Sequence, residues 1–260
     1  MKSLLILGLA TIAMPASALA AESISGTWKT DVSTVQIVEK PTKRMLKDGM
    51  YRCDSCSPAW SVKADGQYHA VKGQPYWDEA AVKEVDSRTV KQMYRKAGKQ
   101  TGEGLLSVSA DGKSLVSSWT DMTGAKTSEF KGTQTRIGTA PKGAHAVSGE
   151  WQAMRATNAS DSALIAMVSE KGDVFEYKTP TGYGYTAKLG GPPVAIKTDS
   201  AGTMAAIKKT GPRTWVETDL RGGKVVGTAT MELSADGKML TASYDDKVQG
   251  STTKFAMRRQ

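Results

Sequence analysis

The residues best suited to chemistry in this 260-residue chain are its two cysteines, arranged as Cys53-Asp54-Ser55-Cys56. Two thiols at this spacing exchange disulfides when a helix N-terminus makes the first one acidic. Here the motif lies between Gly49-Met50-Tyr51-Arg52 and Ser57-Pro58, a context of strands and turns without a helix. That context favours a structural Cys53–Cys56 disulfide, with a thiol–disulfide centre as the alternative. A structural zinc site needs four ligands, and only His69 lies near the cysteines, so no metal is expected. The Gly-x-Ser-x-Gly and His-Glu-x-x-His patterns are both missing. Asp78-Glu79, Glu84 and Asp86 read as solvated turn residues, because neighbours on a strand point to opposite faces. No catalytic residue and no cofactor are expected.

The aromatic residues form a second set. Tyr68, Tyr76 and Trp77 cluster in the first half, and Tyr177, Tyr183 and Tyr185 in the second. Trp119 and Tyr244 occupy matching places near the ends of the halves. Ligand pockets are rich in aromatic rings with a few polar groups, so these eight residues are the candidate ligand-lining set. The alternative is cross-strand packing in a β-sheet core.

The elements that must position these residues are repeated. Val108-Ser109-Ala110-Asp111-Gly112-Lys113-Ser114-Leu115 returns as Leu233-Ser234-Ala235-Asp236-Gly237-Lys238-Met239-Leu240, 125 positions later. Asp-Gly between alternating apolar runs is a strong β-hairpin signal. Gly26-Thr27-Trp28 returns as Gly149-Glu150-Trp151, 123 positions later, and the pairs Arg88/Arg213 and Phe130/Phe255 are again 125 apart. Self-similarity at a nearly fixed period marks a duplication. Each half reads as short strands punctuated by Gly-containing turns, and Leu106/Val108 alternate as Met231/Leu233 do. Residues 22–137 and 148–260 are expected to be two units, joined by a linker at 138–147, each wrapping its own apolar face inward. Asn158 to Val168 is the one stretch read as a short helix.

Residues 1–20 read as an export leader: Met1-Lys2, an apolar run from Leu4 to Ile12, and Ala18-Leu19-Ala20 before cleavage. This predicts a periplasmic or secreted protein. No later apolar run is long enough to be a transmembrane segment. The formal net charge is +9, and its scattered basic residues read as a solvated surface with weak attraction to an anionic envelope. Export makes nucleic acid a poor partner.

At Gly26-Thr27-Trp28 and Gly149-Glu150-Trp151 the sequence resembles the lipocalin and fatty-acid-binding superfamily. The resemblance implies that Trp28 and Trp151 plug the closed ends of two barrels, stacked by basic residues from the last strands, Arg136 and Arg258. Over each half, the order Gly-x-Trp then Ser-x-Asp-Gly is similar to tandem lipocalin-like secreted bacterial proteins of uncharacterised activity. The fold implied is all-β, two tandem small antiparallel up-and-down β-barrels. The function expected is non-catalytic binding of a small amphipathic or hydrophobic ligand. The alternatives are an envelope structural or interaction protein with filled barrels, and a thiol–disulfide protein using Cys53 and Cys56.

Overall fold

The computed structural model describes residues 23–152 and 154–260, so the leader expected over residues 1–20 lies outside the described residues. The fold is all-β, with 60% strand and 3% helix in two nearly closed antiparallel barrels. Around the first barrel the strands run Trp60–Lys63, Met50–Cys53, Thr42–Lys47, Gly149–Trp151, Ser128–Ile137, Ser114–Asp121, Lys99–Val108, Thr89–Lys96, Glu79–Asp86 and Asp65–Ala70. Around the second they run Gly184–Lys188, Val174–Lys178, Ile165–Lys171, Gly26–Thr30, Ser251–Arg259, Met239–Asp246, Lys224–Leu233, Thr214–Arg221, Met204–Gly211 and Val194–Ala195. A bridge between Gly184 and Lys197 draws the second barrel's edges together.

The two halves trade their opening strands. Gly26–Thr30 pairs with Ile165–Lys171 and Ser251–Arg259, both from the second half. Gly149–Trp151 pairs with Ser128–Ile137 and Thr42–Lys47, both from the first. The short strands Gln36–Val38 and Arg155–Ala159 extend the same exchange against Ser251–Arg259 and Ser128–Ile137. The expectation that each half wraps its core alone is therefore corrected. The first barrel is the continuous run from Thr42 to Trp151, and the second is assembled from both ends of the chain. The two opening strands are near-copies, so the hydrophobic pattern that sets pairing does not say which barrel each one joins.

Elsewhere the repeat holds residue by residue. Leu115 lies opposite Val108 as Leu240 lies opposite Leu233, preserving the 125-residue offset. On the next strand the offset is 123: Leu115 faces Gln134, and Leu240 faces Met257. The second half has lost two residues from the intervening turn, and an even change keeps every side chain on its face. Phe130 and Phe255 are therefore not equivalent. Phe130 faces Trp119, whereas Phe255 faces Ala242.

Each barrel has its own core. Leu46, Tyr51, Val90, Leu115 and Trp151 fill the first. Trp28, Phe175, Ile207, Trp215 and Leu240 fill the second. The helix expected over Asn158 to Val168 is a single turn, Asp161–Leu164. Beyond it the chain becomes the strand Ile165–Lys171, whose Ala166 and Val168 are buried against the exchanged Gly26–Thr30 strand.

Candidate ligand cavity and the barrel plugs

One end of each barrel is sealed by the same set of contacts. Trp28 and Trp151 are fully buried, and their indole N–H groups donate to the carbonyls of Ile24 and Val147, each at 2.9 Å. The Arg136 guanidinium lies 4.1 Å over Trp151 and donates to the carbonyls of Gly112, Ser148 and Ala146. Arg259 lies 4.4 Å over Trp28 and donates to those of Gly237, Ser25 and Ser23. Each arginine thus ties the Asp-Gly hairpin to the segment before Gly-x-Trp. The expected Arg258 is corrected to Arg259, because adjacent residues on a strand face opposite ways. Arg258 is largely exposed on the outer surface, near Asp31. The end of the expected linker belongs to the plug, with Val147 and Ser148 fully buried.

The other ends of the barrels meet. A cleft of about 530 Å³ lies between them, lined by Tyr76, Trp77, Tyr94 and Trp119 from the first barrel and by Thr179, Tyr183 and Asp199 from the second. Direct bonds cross it: Ala125 N–H donates to the Thr181 carbonyl at 2.7 Å, and Lys96 donates to the Ser200 carbonyl at 2.7 Å. Arg221 of the second barrel donates to the Tyr76 hydroxyl of the first at 2.8 Å.

Behind this shared mouth the barrels differ. In the first, aromatic rings fill the entrance. Trp60 and Trp77 are 5.2 Å apart, Trp77 and Tyr94 4.7 Å, and Tyr94 and Trp119 5.2 Å. A void of about 310 Å³ remains among Thr42, Arg44, Tyr51, Gln92 and the Cys53–Cys56 disulfide. In the second barrel the matching positions carry Tyr185 for Trp60, Asp219 for Tyr94 and Tyr244 for Trp119. The smaller side chains leave a cavity of about 420 Å³. It is walled by Ala166, Val168, Met231, Leu240, Phe255 and Met257, and shares Ala163, Thr179 and Tyr183 with the cleft.

Two carboxyls, Glu217 and Asp219, stand in the wall of that cavity. Both project inward from Thr214–Arg221, two residues apart on one face of the strand. Burial pushes Glu217 up to about 8, and the charge on Asp219 adds to the rise. Burial raises Asp219 as well. Asp219 raises Glu217 and Glu217 in turn lowers Asp219, so Glu217 is the member of the pair that favours its protonated form. Tyr185 donates to Glu217 Oε2 at 2.5 Å, and Tyr244 donates to Asp219 Oδ2 at 3.1 Å. Burial holds the phenols of Tyr177, Tyr183, Tyr185 and Tyr244 above their ordinary range, so they remain protonated donors. Asp219 is 5% exposed, and no N–H or hydroxyl reaches its Oδ1. Arg221, whose charge lowers Asp219, donates to Tyr76 and Thr203 at the rim.

The eight aromatic residues of the ligand-lining set fall in four places. Tyr177, Tyr183 and Tyr244 line the second barrel's cavity. Tyr76, Trp77 and Trp119 line the cleft. Tyr185 is buried behind the cavity wall and holds Glu217. Tyr68 lines none of these spaces and lies under the Arg95 guanidinium, 3.6 Å away. The sequence reading missed Glu217 and Asp219. Their signal is the alternation Trp215, Glu217, Asp219, which puts two acids in line with a core tryptophan.

Cys53 and Cys56 form a disulfide with Cα atoms 5.5 Å apart. Cys53 ends the strand Met50–Cys53 and is buried in the first core. Among the described residues, no helix is long and apolar enough to cross a membrane. A scan against protein-family models gives no match for this chain, and a search of curated proteins gives none either.

Proposed function

We propose that this is an exported, lipocalin-like protein that binds a small molecule without transforming it, and that the second barrel is the binding module. The observation that carries this reading is the cavity of about 420 Å³, apolar along most of its wall and open to the cleft between the barrels. Its size lies within the range of about 300–1,000 Å³ common to small-molecule sites. The carboxyl pair supports binding over hydrolysis. Glycosidase-type carboxyls stand about 5–10 Å apart on either side of a bond, whereas Glu217 and Asp219 stand on one strand, on the same side of the cavity. The leader-like residues 1–20 and the Cys53–Cys56 disulfide support export, since disulfides persist in oxidising compartments.

A second reading applies to the first barrel, where four aromatic rings in edge-on and tilted contact occupy the entrance. That filling supports a scaffold role, in which the first barrel walls off the mouth of the second. Native mass spectrometry of the protein as purified tests the proposal. A bound small molecule, or a shift with added amphiphiles, is expected. A protein that carries none and shifts with none overturns it.

A further inference from the structure

The duplication supplies an internal control for the acidic pair. The first barrel has the same architecture and holds Gln92 and Tyr94 at the positions of Glu217 and Asp219. Both are neutral, and both are buried. The barrel therefore does not need two acids on this strand in order to fold. Placing carboxyls together out of water is unfavourable unless a proton or a cation offsets the repulsion. In the second barrel they line an apolar cavity, beside a buried oxygen that no N–H or hydroxyl reaches. The side chains of Tyr177, Tyr183, Tyr244 and Phe255 share the lining. Aromatic faces attract organic cations, and carboxylates complete such a site.

Resting on the binding role proposed above, we infer that the ligand is an amphiphile with a cationic ammonium head. Glu217 and Asp219 hold the head, and the apolar wall along Val168, Met231 and Leu240 holds the tail. Before the ligand enters, a proton on Glu217 lessens the repulsion within the pair, and the ammonium group takes over that task as the proton leaves to solvent. Several groups face the pair. Tyr185 donates to Glu217, and Tyr177 and Tyr183 lie in its field. Tyr244 donates to Asp219, which also feels the charges of Asp199 and Arg221. The phenols stay protonated at neutral pH, which leaves the carboxyl pair as the group that gives up a proton.

The test uses the full chain and three amphiphiles with one tail: decyltrimethylammonium, decanol and decanoate. Binding is measured by calorimetry in two buffers of different ionisation heat, which also counts protons released. Decyltrimethylammonium is expected to bind at least about tenfold more tightly than decanoate, with proton release near neutral pH. Glu217→Gln and Asp219→Asn are each expected to lose about tenfold for the ammonium compound while keeping decanol binding, which also reports an intact barrel. Decanoate binding as tightly as the ammonium compound, or ammonium binding unchanged in both variants, overturns the head-group assignment and leaves the binding role standing. Failure of all three amphiphiles overturns the inference together with the binding role on which it rests.

Discussion

Arg259 covers the ring of Trp28 and donates to the Ser25 carbonyl, 234 residues earlier in the chain. Arg136 does the same for Trp151 and Ser148 in the other barrel. Each arginine replaces water for three carbonyls and supplies a cation over an indole face. Arg259→Ala is expected to cost about 3 kcal/mol, combining lost charged hydrogen bonds with lost stacking. Arg259→Lys is expected to recover less than half, since an ammonium lacks the planar fork. Arg258→Ala is expected to change stability by less than about 0.5 kcal/mol, as an exposed side chain should. Urea unfolding of the three variants checks the ranking.

The strand exchange predicts which pieces of the chain stand alone. Residues 40–160 contain every strand of the first barrel and are expected to fold cooperatively when expressed alone. Residues 148–260 lack Gly26–Thr30, the strand between Ile165–Lys171 and Ser251–Arg259, and are expected to remain unfolded. Adding a peptide of residues 22–39 is expected to restore the barrel by filling that gap. Circular dichroism and fluorescence of Trp28 on peptide addition check this.

Glu217 gives stability a definite pH dependence. Its folded value of about 8 lies above its ordinary 4.5, so the folded chain holds a proton that the unfolded chain releases. The stabilisation is complete below about pH 4.5, is lost as pH rises toward 8, and does not fall further above that. Glu217→Gln cannot ionise and is expected to flatten this slope. The variant is expected to exceed the parent chain by about 2 kcal/mol at pH 8 and to differ little at pH 4. Thermal unfolding at the two pH values checks the sign.

Gly227 holds open the space for the Tyr244 hydroxyl. A Cβ at Gly227 would come within 2.1 Å of that oxygen, which donates to Asp219. In the first barrel Gly102 makes the matching approach to Trp119, at 2.9 Å. Gly227→Ala is expected to push Tyr244 off Asp219 and to weaken amphiphile binding about tenfold, the loss of one charged hydrogen bond. Titration of the variant with decyltrimethylammonium checks this.

The all-β class, the two barrels and the repeat were legible because their signals are local. Asp-Gly turns, period-two alternation and Gly-x-Trp are each written within a few residues. The exchange was not legible, because two near-identical strands carry no mark of the barrel they enter. Arg259 was missed in favour of its neighbour because the two-residue deletion lies in a turn that no motif marks. Glu217 and Asp219 were missed because Val216 and Leu220, on the opposite face of the same strand, look just as suitable for a core. The burial of Trp215 and the chain-distant placement of Tyr185 and Tyr244 show which face is enclosed.

The exchanged strands also set a timetable. During synthesis the first barrel has all its strands once Ala159 has emerged, while Gly26–Thr30 is already made and still lacks both neighbours. That early strand has to wait, tethered to a finished barrel, until Ser251–Arg259 arrives. The chamber bearing the two acids is therefore the last part of the molecule to exist, and a truncated chain yields the first barrel without the second.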